Sequence, residues 1–238
     1  MIVRRAGRRK RPPCRKGTYS RIIRVLSFPA SSSRRSARRA AAPLRILTYP
    51  HPTLRRVSKP LRRVDADLRK QIGEMFDTMY EAKGIGLAAN QVDLPLRLFI
   101  VNLGAERGAG EELVFINPVV SLPRGGSEEA EEGCLSLPGL YGPVVRPRHV
   151  RINAYSLKGE EIQIDATEML ARCIQHELDH LDGVLFTDRM SPAARADIQG
   201  ELEDFEAEFA SRRHTGEIPS DEEIARRWAE WESKYAQT

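Results

Sequence analysis

The segment that most constrains the fold is Gln175-His176-Glu177-Leu178-Asp179-His180, which places two histidines four residues apart with a carboxylate beside the first. On an α-helix this spacing puts both imidazoles on one face, about one turn apart. Two imidazoles held in this way are suited to share a divalent metal, and Glu177 is placed to act on a metal-bound water. A plainer interpretation is that His176 and His180 are ordinary helix residues, because so short a pattern also arises by chance.

A catalytic metal site needs a third protein ligand and an open position for water or substrate. In one class of metallopeptidases this ligand is a His six residues after the second His, but here that position is Phe186. In another class it is a Glu about twenty residues further on, where Glu201 and Glu203 are more simply interpreted as part of a solvated helix face. The remaining candidate is Cys134, which follows Gly133 and would complete a set of one Cys and two His.

The composition indicates one sizeable core in a chain of 238 residues. Three cysteines are too few and too odd in number for a disulfide framework, which favours a reducing compartment. No apolar run approaches the roughly 20 residues of a membrane span, so no membrane partner is expected.

The net charge of +5 averages two unlike regions. Residues 1–43 hold 14 of the 38 Lys and Arg and no acidic residue, which leaves 24 basic against 33 acidic residues in the rest of the chain. An acidic body gives no support to specific nucleic-acid binding. The basic arm, residues 1–43, is rich in Arg, Ser and Ala and is expected to be a disordered, dispensable extension. Its origin stays open among a transit peptide, a bacterial basic tail and a wrongly assigned start.

Two helices are predicted between residues 44 and 190. The first begins near Asp65, carries apolar residues at helical spacing, and stops near Gly84. The second is capped by Thr167 or its neighbour, carries both histidines, and stops at Gly183.

Strands are predicted at Leu98–Val101 and Leu113–Ile116, and alternating apolar residues on both sides of Lys158-Gly159 indicate a hairpin. Residues 127–132 are expected to form an acidic loop leading into Cys134. The fold class is therefore α+β, with mostly antiparallel β-sheets wrapped around a central metal-binding helix.

Three stretches occur in a fixed order: Gly84 to Val92, Glu132 to Pro138, and Gln175 to Gly183. Together they resemble the three signature motifs of the peptide deformylases, and the resemblance extends from about Leu44 to about Met190. It implies a hydrolase that removes the formyl group from the N-terminal methionine of newly synthesised polypeptides. Residues 44–190 are then the catalytic domain, and residues 191–238 are an acidic extension of two amphipathic helices.

The resemblance also implies roles for individual residues. Cys134, His176 and His180 would bind one divalent metal, Fe²⁺ in the family, with Zn²⁺, Ni²⁺ or Co²⁺ as substitutes. Glu177 would be the general acid/base. The side chain of Gln91 and the backbone N–H of Leu135 would stabilise the oxyanion.

Further positions would bind the peptide. Gly86 and Gly133 would hold its backbone as an added strand, and the Met side chain would enter a pocket near Ile85, Leu87, Cys173 and His176. Some members carry a peptide-binding Arg seven residues after the metal Cys. Here that position is Tyr141, and Arg146 is the nearest basic residue beyond it.

The expected partners are N-formylmethionyl nascent peptides and the ribosome near the tunnel exit, with the enzyme itself a monomer. The expected location is the bacterial cytoplasm, or an organelle matrix if the basic arm is a transit peptide. Two rival hypotheses are a peptidase of another class and a deformylase-like binding module without activity. The first is disfavoured by Phe186 and Cys134, and the second by the intact set of predicted site residues.

Overall fold

A computed structural model describes Met1 and residues 44–236, without the side chains of residues 122–124. The predicted disorder of residues 1–43 lies outside the described residues, apart from Met1. The described chain contains five strands, β1 (Gly86–Ala88), β2 (Leu98–Val101), β3 (Leu113–Cys134), β4 (Leu137–Tyr155) and β5 (Glu161–Thr167). Its helices are α1 (Ala66–Glu81), α2 (Glu168–Leu181), α3 (Pro192–Asp197), α4 (Gln199–His214) and α5 (Asp221–Tyr235). Three short 3-10 helices lie at Pro52–Arg55, Ala89–Val92 and Phe186–Asp188.

The strands form one sheet in the order β1-β2-β3-β4-β5, and every neighbouring pair is antiparallel. The α+β class is thus confirmed, as are the strand at Leu98–Val101 and the hairpin between β4 and β5. The predicted strand Leu113–Ile116 is the beginning of the much longer β3.

The prediction of a loop at residues 127–132 is wrong, because this segment is the second half of β3. It pairs with β4 through Glu128 opposite Arg146 and Ala130 opposite Val144. The apolar pair Ala130 and Val144, and ion pairs from Arg148 to Glu128 and from Arg146 to Glu132, stabilise a strand that its glutamates alone disfavour. The consequence is that Cys134 lies at the end of a strand and is held by the sheet.

The first of the three motif stretches, Gly84 to Val92, contains a short strand and a helical turn. Gly86–Ala88 pairs with β2, and Ala89–Val92 forms a 3-10 helix. The carbonyl of Gln91 accepts a hydrogen bond from the Leu47 N–H at 2.8 Å. This contact connects the segment that begins at Leu44 to the motif.

Both predicted helices are present. The Asp65 side chain caps α1 by accepting from the Leu68 N–H at 2.9 Å. The side chain of Thr167 makes no capping hydrogen bond to α2, and Gly183 ends that helix with a φ of +73°. α2 packs against β1, β2, β4 and β5, so the sheet positions the helix that carries both histidines.

The C-terminal segment contains three helices, and not the two predicted, because the first breaks at Ile198 into α3 and α4. α5 packs on the body: Tyr235 is fully buried, and the Trp228 indole donates to Thr53 Oγ1 at 3.0 Å. No helix among residues 44–236 is long and apolar enough to cross a membrane.

Candidate metal centre and active site

Three potential metal donors converge where the end of β3 meets α2. The ligand atoms of Cys134, His176 and His180 all lie within 4.8 Å of one another. All three side chains are buried, and Cys134 Sγ lies 3.1 Å from His180 Nε2. His176 Nε2 is buried and has no hydrogen-bond partner among the described residues, and His180 directs its Nε2 toward the sulfur. Buried ring nitrogens available beside a thiol are what a metal-binding set requires.

The electrostatics of this cluster favour an added positive charge. Burial alone would raise the pKa of the Cys134 thiol, but His180 and His176 lower it well below its ordinary value. Burial would likewise lower the pKa of His176, whereas the neighbouring Cys134 and Glu132 raise it to about 9. The group of side chains thus stabilises a thiolate together with a cation, a combination that suits a divalent metal.

A buried ion-pair network supports His176, and the sequence reasoning assigned no role to its members. Glu132 is fully buried and accepts from His176 Nδ1 at 3.0 Å, from Arg146 Nε at 2.7 Å and from Arg172 Nη1 at 2.7 Å. Arg146 also donates to Asp179 on α2 at 2.8 Å. A carboxylate on the second ring nitrogen fixes the orientation of a metal-binding His.

Arg146 is therefore engaged with Glu132 and Asp179 in the interior, with only 5% of its surface exposed. It is not placed to bind a peptide as the nearest substitute for the arginine absent at Tyr141. A sequence signal for Glu132 does exist, since it precedes Cys134 by two residues and so faces the same side of a strand. The interpretation of residues 127–132 as a loop concealed that signal.

Asn90, which also has no predicted role, contacts the backbone of His180. Asn90 Nδ2 donates to the carbonyl of His180 at 2.5 Å. The first motif is thereby tied directly to α2.

Glu177 is fully buried beside the donor cluster. Its Oε2 has no hydrogen-bond partner in the part of the chain that the structure describes. Gly86 packs so closely that a Cβ there would lie 2.4 Å from Glu177 Oε1 and 2.7 Å from Cys173 Sγ. Only glycine permits this approach of the β1 backbone to Glu177.

Gln91 extends its amide toward the Cys134 end of the site. Its Nε2 donates to Ser136 Oγ at 3.1 Å and lies 3.5 Å from Cys134 Sγ, while its Oε1 accepts from the Ala88 N–H at 2.9 Å. Leu135 follows Cys134 directly and is 6% exposed. Both predicted oxyanion donors are therefore adjacent to the thiol.

Met1 occupies the same site. Its amino group donates to the Gly86 carbonyl at 3.0 Å and to Glu177 Oε1 at 3.2 Å, and its carbonyl accepts from the Ile85 N–H at 3.1 Å. Its side chain is fully buried. Nothing in the sequence predicts this placement.

The predicted lining residues divide into two groups. Ile85 and Cys173 belong to the same buried cluster as Met1, whereas Leu87 belongs to a different core cluster, with Leu135. Gly133 lies against the ring of Tyr141, where a Cβ would meet the ring at 2.5 Å. Burial raises the pKa of the Cys173 thiol, so this cysteine stays neutral and is unsuited to bind a metal.

The alternative third ligands are in other places. The Phe186 ring stacks on the His176 ring at 6.3 Å between centroids, so it packs against the site without offering a donor atom. Glu201 and Glu203 are exposed on α4, as the interpretation of a solvated helix face predicted.

One thiolate and two imidazoles beside a buried glutamate are typical of metal-dependent hydrolases. A family model described as Polypeptide deformylase matches residues 43–196. The chain belongs to this family: it is a metalloenzyme that removes the N-terminal formyl group from nascent polypeptides.

Relatives and solved structures agree with this assignment. A peptide deformylase of Rhodopirellula baltica is 48% identical over 193 residues, covering 81% of this chain and 96% of the relative. One of Hahella chejuensis is 46% identical over 160 residues, covering 67% and 94%. A crystal structure of Arabidopsis thaliana peptide deformylase 1B has a TM-score of 0.68 at 41% identity, covering 74% of this chain and 96% of that one. A Plasmodium falciparum deformylase structure has a TM-score of 0.68 at 36% identity, covering 70% and 98%.

Proposed function

We propose that Cys134, His176 and His180 hold the single catalytic metal and that this metal is Fe²⁺. The observation that carries the proposal is the convergence of the three donor atoms within 4.8 Å in a buried site. The choice of iron rests on the family, because affinity order alone would favour zinc, and Zn²⁺, Ni²⁺ and Co²⁺ are expected as substitutes. The further detail of the fold, that the sheet wraps around α2 as the central metal-binding helix, belongs to the same proposal.

The bound metal would supply Lewis-acid chemistry, polarising the formyl oxygen and acidifying water. Glu177 takes a proton from the attacking water and delivers one to the leaving nitrogen as the formyl C–N bond breaks, giving formate and an amine. The 3.2 Å distance between Glu177 Oε1 and the Met1 amine supports the second transfer, since this amine has the position of a leaving group.

The Gln91 amide and the Leu135 backbone N–H would donate to the developing oxyanion. Donors aimed at the charge that forms in the transition state contribute strongly in a buried site. The distances from Gln91 Nε2 to Ser136 Oγ and Cys134 Sγ place this amide beside the proposed metal donor.

The peptide would lie along Ile85 and Gly86, as the Met1 contacts indicate, with Gly133 on the other side. Its methionine side chain would fill the pocket formed with Ile85 and Cys173. Leu87 would support this pocket from the core behind it, given its place in the neighbouring cluster.

The domain organisation is proposed as a catalytic domain at residues 44–190, a helical extension at residues 191–238 and a basic arm at residues 1–43. The enzyme would act as a monomer on nascent chains near the ribosomal tunnel exit, in the bacterial cytoplasm or in an organelle matrix. From Ser191 onward the chain has 6 basic and 12 acidic residues, so these helices are unsuited to contact ribosomal RNA phosphates.

Formate release by protein purified without oxygen, with metal quantified in the same sample, tests the proposal. We expect release from a formyl-Met peptide to track roughly one metal per chain and to vanish, together with the metal, in Cys134→Ala. Cys173→Ala is the matched control and should keep its metal. If Cys134→Ala retains the metal, the donor set is wrong; if the wild type binds metal without releasing formate, the binding-module hypothesis replaces the enzyme.

A further inference from the structure

Met1 makes a polar contact through each backbone group it has. The amine donates to Gly86 and Glu177, at 3.0 and 3.2 Å, and the carbonyl accepts from the Ile85 N–H at 3.1 Å. Residues 85 and 86 therefore hold Met1 from both ends of its backbone. Such directed contacts at a buried position define a binding site for an amino-terminal residue.

The side chain of Met1 is bound as well. It is fully buried and shares an apolar cluster with Ile85 and Cys173, the residues predicted to surround a substrate methionine. An unbranched, polarizable side chain fits such a cluster without a hydrogen-bonding group of its own. Both parts of a methionyl terminus are thus accommodated.

The contacts select one chemical form of this terminus. A free ammonium has several N–H groups and a positive charge, so it can donate to the Gly86 carbonyl and to the Glu177 carboxylate together. A formylated nitrogen is uncharged and has a single N–H, which cannot serve both acceptors. The terminus that can make both contacts at once is the deformylated one, which is the product of the enzyme's own reaction.

The chain length permits this contact within one molecule. Met1 belongs to the same compact unit as residues 44–236. The 42 residues between Met1 and Leu44 can span up to about 140 Å when extended, more than the diameter of roughly 40 Å expected for a body of this size. A ligand attached to its own site in this way is present at an effective concentration of about millimolar.

We propose that a chain beginning at Met1 binds its own deformylated amino terminus in its active site, where this terminus competes with the peptide substrate. The inference rests on the proposed active site and adds a ligand that the reaction itself does not require. It also means that residues 1–43 are not neutral toward catalysis, because removal of Met1 opens the site.

Three full-length, metal-loaded proteins test the proposal. Cleavage of a removable leader yields one protein that begins with Met1, one that carries Met1→Ala, and one that keeps Gly-Ser before Met1. The α-amine of the first two is treated with an amine-reactive reagent, and mass spectrometry follows the labelling of the first residue. KM and kcat for a formyl-Met peptide are measured for all three at several protein concentrations.

We expect the Met1 amine to be labelled at least about threefold more slowly than the terminal amine of the Met1→Ala protein, and an excess of a free methionyl tripeptide to abolish the difference. If two thirds of the molecules are self-occupied, KM should be about threefold higher for the protein that begins with Met1 than for the other two, with kcat unchanged. A KM that does not change with protein concentration would establish that Met1 binds within its own chain.

Equal labelling rates and equal KM values, in an enzyme that releases formate, would overturn this inference and leave the proposed function intact. Inhibition that grows with protein concentration would also overturn it, because a second copy would then supply the terminus. If none of the three proteins releases formate, the proposed function fails, and the labelling comparison alone decides whether Met1 binds in the site.

Discussion

Substitution of Glu132 by Gln tests the ion-pair network behind the metal donors. Glu132 Oε1 accepts from Arg146 Nε and Arg172 Nη1, each at 2.7 Å, and Oε2 accepts from Arg146 Nη2 and His176 Nδ1, each at 3.0 Å. The variant keeps the shape of the side chain but has one oxygen and no charge. Each oxygen of Glu132 accepts two hydrogen bonds. Because an NH₂ group donates and does not accept, the two hydrogen bonds made to the oxygen that it replaces are lost.

Two lost hydrogen bonds to charged groups, at about 1.5–3 kcal/mol each, give a lower limit near 3 kcal/mol. The cost of breaking a buried ion pair is similar, about 3–5 kcal/mol. The lower end applies here, because Arg146 keeps Asp179 and Arg172 keeps the carbonyls of Val144 and Glu128. We expect the variant to lose about 3 kcal/mol of unfolding free energy.

Urea unfolding of the metal-loaded protein measures this loss, which should lower the midpoint by roughly 1 M. Chelator competition should show metal retained about 10- to 100-fold more weakly, because the orientation of His176 is no longer fixed. Glu131→Gln is the matched control, since Glu131 is the adjacent carboxylate on β3 and is exposed. A Glu132→Gln midpoint equal to that of this control would refute the reasoning.

Three further substitutions probe other parts of the molecule. Glu177→Gln should keep its metal but lower turnover at least about 100-fold, because a general acid/base is removed while no donor atom is lost; formate release and metal content are measured on one sample. Gly86→Ala should lower kcat/KM about 100-fold, because its Cβ would meet Glu177 Oε1 at 2.4 Å. Asp188→Asn should destabilise the protein near neutral pH: burial would raise the pKa of Asp188, but the Arg55 guanidinium and the Leu185 N–H lower it overall. A carboxyl group whose pKa is lowered by folding contributes stability above its unfolded pKa, and this contribution is lost as pH falls through its folded pKa. The urea midpoints of wild type and variant should therefore converge between roughly pH 5 and pH 3.

A specific result would contradict each of these three predictions. Loss of metal from Glu177→Gln would make that residue a ligand instead. Gly73→Ala adds the same methyl group where no described atom beyond its chain neighbours and its own helix backbone lies within 4 Å, so it should leave kcat/KM unchanged, and equal effects at both glycines would exclude the steric argument. A gap between Asp188→Asn and wild type that stays constant down to pH 3 would show that the Asp188 charge has no part in stability.

Local spacing accounts for what the sequence predicted well. Two histidines four residues apart have a fixed relative position once a helix forms. A run of four apolar residues such as Leu98–Val101 is enough to predict a strand. Elimination of the other ligands and the family resemblance both predict Cys134 beside the histidines, and the structure brings its sulfur to 3.1 Å from His180 Nε2. These relations are contained in short segments or in motifs of fixed order.

The remaining parts depend on partners distant in the chain. Glu132 reads as part of an acidic loop until Arg146, Arg172 and His176 are placed around it, because local propensity cannot register an ion pair between residues 14, 40 and 44 positions apart. Met1 is the extreme case, since its polar partners Ile85, Gly86 and Glu177 are 84, 85 and 176 residues away in the sequence. A methionine at the start of a basic arm has no periodic or charged neighbour that points to a pocket. Its place follows only from the contacts with Ile85, Gly86 and Glu177 that the folded chain provides.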